Sequence, residues 1–505
     1  MIHTLSRCSG RGRGAWVAVG LRRPGMPRLF ADLKRPSTAP KVKVDIKHIR
    51  ENADMHAENC RARNYEAQSY YPARINDLFA RWQELQTSNR RLRERSNLLR
   101  RHIAKPVKSN QSDDNLGDIA NLSRETIIAE AKSIKSQLSA VEEEEATLVD
   151  EMEALAFAIP NLTAEEAPVG TEPRLLTMIN ADSSDQATEA KAGASRSHVD
   201  IGAELGIIDF VAAGSTSGWG WYYLLDEGAQ LEQALVQYAL AVATRHGWRQ
   251  VSPPSMVYSH MAAACGFQPR DQNNEQQIYT IARDAEDTER GKPELCLAGT
   301  SEIPLASMHA NSTIEESRLP LKRVAVSRCY RAEAGARGAS TRGLYRVHEF
   351  TKVELFAWTP PDSQETTDVF DEMVDMQTEI LDSLGLTCRV LEMPTTDLGA
   401  SAARKIDIEA FFPSRLQTGG GWGEVTSASI CTDYQTRRLS TRTKCDGQLL
   451  FPWTVNGTAL AVPRVLAALL ETGWDEQTRS VSIPECLQPW MNGRRHISIE
   501  SRGDV

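Results

Sequence analysis

Between residues 72 and 157, apolar side chains recur at alternating steps of three and four positions, in two separate runs. The first run sets Ile75, Leu78, Trp82, Leu85, Leu92, Leu99 and Ile103 on one stripe, interrupted by Asn89 and Ser96. A break rich in Ser, Asn, Asp and Gly covers 109–117, and the second run carries Ile127, Ala131, Ile134, Leu138, Val141, Leu148, Met152 and Leu155, interrupted by Glu145. A stripe of this period is the seam of a coiled coil, because it keeps one face turned toward a partner helix. The connection is short, so the helices are expected to run antiparallel, with Ile103 beside Ile127, Trp82 beside Leu148 and Ile75 beside Leu155. At about 1.5 Å per residue each helix reaches roughly 45 Å. Such a rod has little core of its own and must project from a larger body.

The pattern changes after the arm. Pro160-Asn-Leu ends it, and a passage rich in Pro, Gly, Ser and Asp to about Ser197 reads as a linker. From His198 the periodicity is mixed. Leu231, Leu235, Tyr238 and Val242 predict a helix over 227–246, with Asp226 as its cap and Gly247 as its end. Thr300 and Glu302 stand two apart, on one side of an extended segment, where they suit an ammonium group. A buried glutamate without a cation is costly, so Glu302 is either exposed or provided with a ligand. Val455 to Glu471 reads as a strand leading into an apolar helix with Arg464 near its start. A charge in that run must be matched.

Length and charge bound the function. At 505 residues the chain exceeds a single core, which suggests two to four folding units. A net charge of −9 excludes a globally basic nucleic-acid coat, so RNA contact must come from local basic surface. The first arm helix offers such a surface at Arg90, Arg91, Arg93, Arg95, Arg100 and Arg101. Pairing with the acidic run 142–145 of the second helix accounts for part of it, and contact with an RNA backbone for the remainder. The nine cysteines are scattered, with no Cys-X-X-Cys pair, so neither a zinc site nor a disulfide framework is indicated. No apolar run is long enough to span a membrane. The first thirty residues carry Arg7, Arg11, Arg13, Arg22, Arg23 and Arg28 and no acid. That is the composition of a mitochondrial transit peptide, and also of a disordered basic tail. Met26 offers a second start and hence a cytoplasmic form.

The chemistry concentrates in Arg331-Ala-Glu-Ala-Gly-Ala-Arg-Gly-Ala-Ser-Thr-Arg-Gly-Leu-Tyr-Arg-Val-His-Glu-Phe-Thr-Lys-Val-Glu354, a small-residue loop between two β-like stretches. The Arg331 guanidinium can fork onto a carboxylate or phosphate, Glu333 can accept from an exocyclic amine, and Phe350 offers a flat face to a purine. Alone, an exposed ion-pair hairpin would explain the same residues. Leu295-Cys-Leu-Ala-Gly-Thr-Ser-Glu-Ile-Pro-Leu305 and the block Gly423-Glu-Val-Thr-Ser427, where Glu424 and Ser427 offer oxygen ligands suited to Mg²⁺, add matching chemistry.

Together these segments resemble class II aminoacyl-tRNA synthetases. The hairpin is similar to their second signature motif, Val251-Ser-Pro-Pro-Ser-Met-Val257 to the first and Val455–Glu471 to the third, and the Thr-X-Glu loop and helical arm resemble the seryl family. The resemblance implies an α+β fold: an antiparallel sheet of six to seven strands flanked by helices in a homodimer, plus an N-terminal antiparallel helical arm. Units are expected at 1–38 (transit peptide), 39–160 (tRNA-binding domain), 161–197 (linker), 198–490 (catalytic domain) and 491–505 (tail). It further implies that L-serine is activated with ATP and Mg²⁺ and passed to tRNA(Ser), without zinc. Serine binding would fall to Thr300, Ser301, Glu302, Arg331, Glu354 and Thr458. ATP binding would fall to Arg331, Ala332, Glu333, Arg346, Val347, Phe350, Glu424, Val425, Thr426, Ser427 and Arg464, with Glu424 and Ser427 holding the metal. Glu349 stands where that family usually has Gln, and Pro463 where Gly is common.

Overall fold

The computed structural model describes residues 39–104, 122–181, 196–267, 277–333 and 343–499. The expected transit peptide and Met26 lie outside them.

The N-terminal unit begins with α1 (Ile46–Glu51), capped by Asp45, and α2 (Ala53–Ala62). The arm is built from α3 (Tyr71–Ser88), α4 (Arg90–Ala104) and α5 (Arg124–Ala158). Its first half is two helices rather than the continuous one expected. Asn89, an interruption in the apolar seam, turns its side-chain amide back onto the Leu85 carbonyl at 3.0 Å and separates α3 from α4, the competition with helical bonding that short polar side chains offer. Ser123 starts α5 by accepting from the Thr126 amide. Ion pairs Arg74–Glu151, Arg81–Glu144 and Arg95–Glu130 hold α5 antiparallel to α3 and α4 in one register. That register differs from the seam alignment expected: Leu99 packs with Ile127, while Ile103 is 42% exposed. At the arm's base Ile75 and Leu78 meet Leu148, Met152 and Ala156.

The second unit is built on eight strands, β1 (Arg174–Ile179), β2 (Arg249–Val251), β3 (Leu321–Tyr330), β4 (Glu349–Thr359), β5 (Cys388–Glu392), β6 (Arg404–Phe411), β7 (Trp422–Thr432) and β8 (Trp453–Ala461). They lie in the order β1-β5-β6-β7-β8-β4-β3-β2, which among the described residues is one strand more than the largest count expected. Every pairing is antiparallel except β2 with β3. The passage expected as a linker therefore supplies an edge strand, because the Leu175, Thr177 and Ile179 backbone pairs with β5. The expected tail is likewise part of the fold, since His496–Ser498 pairs with Ser480–Ser482.

One face of the sheet carries the main core. Val353, Leu355 and Ala357 of β4 pack with Leu231 and Leu235 of α7 (Asp226–Arg245), Met373 of α9 (Gln364–Ser383) and Val465 and Leu469 of α10 (Val462–Gly473). In chain order α6 (His198–Glu204) precedes α7, and α8 (Glu302–Ser307) falls between β2 and β3. Asp226 is not the cap of α7. It occupies the first helical turn, and the cap position falls to Leu225. Among the described residues no helix is long and apolar enough to cross a membrane.

Candidate active site

β4 is buried on both sides, and its period-two alternation divides the labour. Val353 and Leu355 enter the core, whereas Phe350, Lys352 and Glu354 face a cavity of about 360 Å³ on the opposite side of the sheet. Stretches far apart in the chain close around it, among them the turn before α8, the start and end of the β3–β4 connection, the loop between β5 and β6, β7, and the junction of β8 with α10.

At one end stand Thr300, Glu302, Lys352, Glu354 and Thr458. Thr300 and Glu302 are not in an extended segment. Ser301 is already helical and Glu302 opens α8, whose Pro304 sits in the first turn, where a missing amide costs no hydrogen bond. Lys352 Nζ lies 2.7 Å from Thr300 Oγ1, 2.5 Å from Glu354 Oε2 and 3.4 Å from Thr458 Oγ1. Gln435 Nε2 donates to Glu302 at 2.6 Å. Burial, and then the charge of Glu354, push the Glu302 carboxyl up to about 8 against the pull of Lys352. Burial also pushes Glu354 up, partly offset by Lys352. This end therefore has a deficit of positive charge.

The other end is the reverse. Arg464, in the first turn of α10 behind Pro463, donates through Nη1 to the Glu424 carbonyl at 2.9 Å and its carboxylate at 3.1 Å, and through Nε to the Tyr345 carbonyl at 3.1 Å. Burial would raise Glu424, but Arg464, Lys405 and Arg331 outweigh it and hold that carboxyl at about 2. Glu424 and Ser427 are three apart in a strand, a spacing that ordinarily sends side chains to opposite faces. The β6–β7 register shifts between Ile408 and Glu409, so that Val425 is the extra residue of a bulge and both side chains reach the cavity. Gln377 of α9 ties the irregular strands together, donating to the carbonyls of Ser427 at 2.8 Å and Thr458 at 2.9 Å.

Arg331 lies between the ends, lowering the pKa of Glu302, Glu354 and Glu424 alike. Its guanidinium sits 5.2 Å from the centre of the Phe350 ring. Glu333, held in the left-handed backbone region (φ 46°), pairs with Arg346. Val347, Val425 and Thr426 also line the cavity. Two expected residues do not. Ser301 is fully buried and shares a hydrogen bond of 2.5 Å with Ser327, and Ala332 meets the Gln277 carbonyl through its amide instead.

Sequence reasoning assigns no site role to Lys352, Tyr345, Asp397 or Lys405, all of which line the cavity. Lys352 was readable from its place between Phe350 and Glu354 in period two. Tyr345 gave no such signal: its hydroxyl donates to Glu471 of α10 at 2.9 Å, and the same carboxylate oxygen meets His198 Nδ1 at 2.8 Å. His198 Nε2 in turn accepts from the Leu344 amide at 2.9 Å. Gly343 (φ 71°) permits this closure, since a Cβ there would fall 2.1 Å from His198 Nε2.

On the arm, Arg93 pairs with Glu145 and Arg95 with Glu130, so these two of the six arginines stabilise the hairpin. Arg90 pairs within its own helix with Glu94. Arg91, Arg100 and Arg101 are exposed.

Residues 44–163 match the seryl-tRNA synthetase N-terminal domain, and residues 279–473 match the class II tRNA synthetase core domain (G, H, P, S and T). The mitochondrial serine–tRNA ligase of Saccharomyces cerevisiae is 43% identical over 373 residues, covering 73% of this chain and 79% of its own. The serine–tRNA ligase of Rubrobacter xylanophilus is 37% identical over 459 residues, covering 90% and 99%. Among solved structures, that of seryl-tRNA synthetase from Pyrococcus horikoshii complexed with ATP superposes with a TM-score of 0.75 at 29% identity, covering 90% of this chain and 99% of that one. Arm, sheet and charge-divided cavity thus occur in one chain whose relatives align along 73% to 90% of its length, and the protein belongs to the seryl-tRNA synthetase family of class II aminoacyl-tRNA synthetases.

Proposed function

We infer that the protein is an ATP-dependent serine–tRNA ligase, which forms seryl-adenylate and diphosphate and then passes serine to the 3′ end of tRNA(Ser), releasing AMP. The observation that carries this reading is the cavity itself, with buried carboxylates short of positive charge at one end and arginines at the other.

The serine ammonium takes the place facing Glu302 and Glu354, beside Thr300 and Thr458. Arg331 spans the serine carboxylate and the α-phosphate, a role supported by its charge acting on carboxylates at both ends. Phe350 stacks beneath the adenine, with Glu333 on the exocyclic amine and the Val347 backbone beside it. Arg346 and Arg464 meet the remaining phosphate charge. The attacking serine carboxylate is already ionised at neutral pH, so no general base is required, and the residues act by aligning reactants and balancing phosphoryl charge. A site that hydrogen-bonds a hydroxyl rejects alanine by a factor on the order of 10⁴.

Mg²⁺ fits Glu424 and Ser427. The first is held ionised, the second is brought to the same face by the bulge, and among the described residues no group of three or more His, Cys, Asp or Glu converges on one point. Few protein oxygens with the rest of the shell from water and phosphate is how Mg²⁺ is usually held. When bound it would neutralise phosphate charge.

Residues 44–163 act as the tRNA-binding unit, with Arg90, Arg91, Arg100 and Arg101 toward the RNA backbone. Met256, 45% exposed, and Tyr258, 40% exposed, lie beside or within the segment resembling the family's interface motif and support a homodimer. The mitochondrial names of the yeast and mouse relatives, with the arginine-rich first thirty residues, support action in the mitochondrial matrix, and Met26 a cytoplasmic form. A pyrophosphate exchange panel with serine, threonine, alanine and glycine tests the central reading: exchange should depend on serine, and a flat panel would overturn it.

A further inference from the structure

One wall of the cavity is held in place from the other unit of the chain. Gly399, Ser401 and Ala402 line the cavity, in the loop between β5 and β6. Four consecutive carbonyls of this loop accept hydrogen bonds from the base of the arm. Arg63, just past α2, donates through Nη2 to Gly399 and, at 2.8 Å, to Ala402. Asn161, just past α5, donates through its amide to Ala400 at 2.8 Å and through Nδ2 to Ser401 at 2.8 Å. Asn161 Nδ2 also reaches the Cys431 carbonyl at 2.9 Å, on the strand that carries Glu424 and Ser427.

The two donors are joined to one another. Arg63 Nη1 donates to the Asn161 carbonyl, which Asn59 Nδ2 also meets at 3.0 Å. The catalytic unit answers in kind: Arg438, buried, donates to the carbonyls of Phe157 at 3.0 Å and Ile159 at 3.2 Å at the end of the arm. Arg63 is 1% exposed, and its hydrogen-bond partners among the described residues are all backbone carbonyls. Burying a guanidinium with no carboxylate is expensive, so the arrangement does not read as a stability device. What a planar fork supplies is direction, holding three carbonyls at fixed angles in a way that a lysine cannot.

We propose that Arg63 and Asn161 are positioning residues for amino-acid activation: they set the wall 399–402, so that the arm-bearing unit completes the serine-activating cavity as well as binding RNA. This rests on the synthetase reading above. It separates the base of the arm, which acts in the first step, from the distal arm, which acts only in the second.

The test uses the full-length protein and serine-dependent pyrophosphate exchange, in which tRNA takes no part. Arg63→Ala should lower kcat/KM for serine by a factor on the order of 10 to 100, comparable to the cost of an ångström-scale misplacement, at temperatures well below its unfolding midpoint. Asn161→Ala should lower it by roughly threefold to tenfold, and Arg63→Lys should fall between wild type and Arg63→Ala. Amide exchange of 399–403, read by mass spectrometry, should quicken in each variant. Exchange constants of a folded variant within twofold of wild type overturn the proposal, whatever its melting temperature. Should Arg63→Ala fail to fold, Asn161→Ala decides on the same criterion. Absence of serine-dependent exchange in the wild type would instead sink the synthetase reading.

Discussion

The two ends of the cavity treat one chemical group in opposite ways. Glu302 is pushed up to about 8 and Glu354 in the same direction, while Glu424 is held at about 2. Glu302 and Glu354 are 6% and 1% exposed, whereas the Glu424 side chain is 41% exposed toward the open cavity, so solvent accounts for part of the contrast. The rest lies in how cations are shared. Arg464, Lys405 and Arg331 converge on Glu424, whereas Lys352 is divided among Glu354, Thr300 and Thr458 and leaves Glu302 with an amide partner. An end short of positive charge is already complementary to an ammonium, and an end with carboxylate and cations in balance is ready for phosphate and metal. The first arrangement destabilises the empty protein in favour of its ligand.

Removing the residue common to both ends should have the largest effect. Arg331→Ala should lower adenylate formation by two or more orders of magnitude, since a lost charge-stabilising donor costs about 3–4 kcal/mol; exchange near the wild-type rate would show that the ends do not share it. Glu424→Gln attacks the balanced end alone. Its exchange rate should fall by roughly 100-fold with a raised Mg²⁺ requirement, and a change confined to the serine KM would contradict the division drawn here.

Glu302→Gln attacks the other end and should raise the serine KM by a factor on the order of ten or more. In the wild type, protonation as pH falls through about 8 removes the anion that meets the ammonium, so serine affinity should weaken below that pH and the variant should be flatter. The stability sign is the opposite. A carboxyl ionising near 4.3 when unfolded and higher when folded leaves the native state holding more protons between these values, so stability is lost as pH rises through that window. Ligand-free Glu302→Gln should accordingly melt about a few degrees above wild type at pH 8. The smallest effect should come from outside the cavity. Arg100→Ala with Arg101→Ala should raise the KM for tRNA by about threefold to tenfold, with reduced salt dependence and unchanged serine exchange; a loss of exchange would erase the contrast between cavity and arm.

Local pattern carried much of this. The Phe350, Lys352 and Glu354 alternation, the helix opening at Arg464 and the paired stripes of the arm all follow from period two or period 3.6, so they were readable without coordinates. The arm's register was not, because Arg74, Arg81 and Arg95 find their acids only when two helices meet, and those pairs leave Ile103 in solvent. Nor was β1, whose exposed side chains lack a strand's hydrophobic alternation and which is defined by the edge of β5. Thr300 and Glu302 are on a turn into α8 rather than on an extended segment, and both reach the cavity because Thr300 precedes the helix while Glu302 opens it, a change of direction that their spacing does not reveal.

By itself the sequence determined which chemistries were on offer: three separated clusters of arginine and carboxylate, a Thr-X-Glu turn and a two-stranded helical rod. Those are properties of neighbours along the chain, set by side-chain identity and backbone period. Only the tertiary structure decided which cations face which carboxylates, that a bulge at Val425 turns Glu424 and Ser427 to one side, and that Arg63 grips a wall of a cavity in the other unit. Charge acts through space and register is settled by the partner strand, so neither can be read from spacing along one chain.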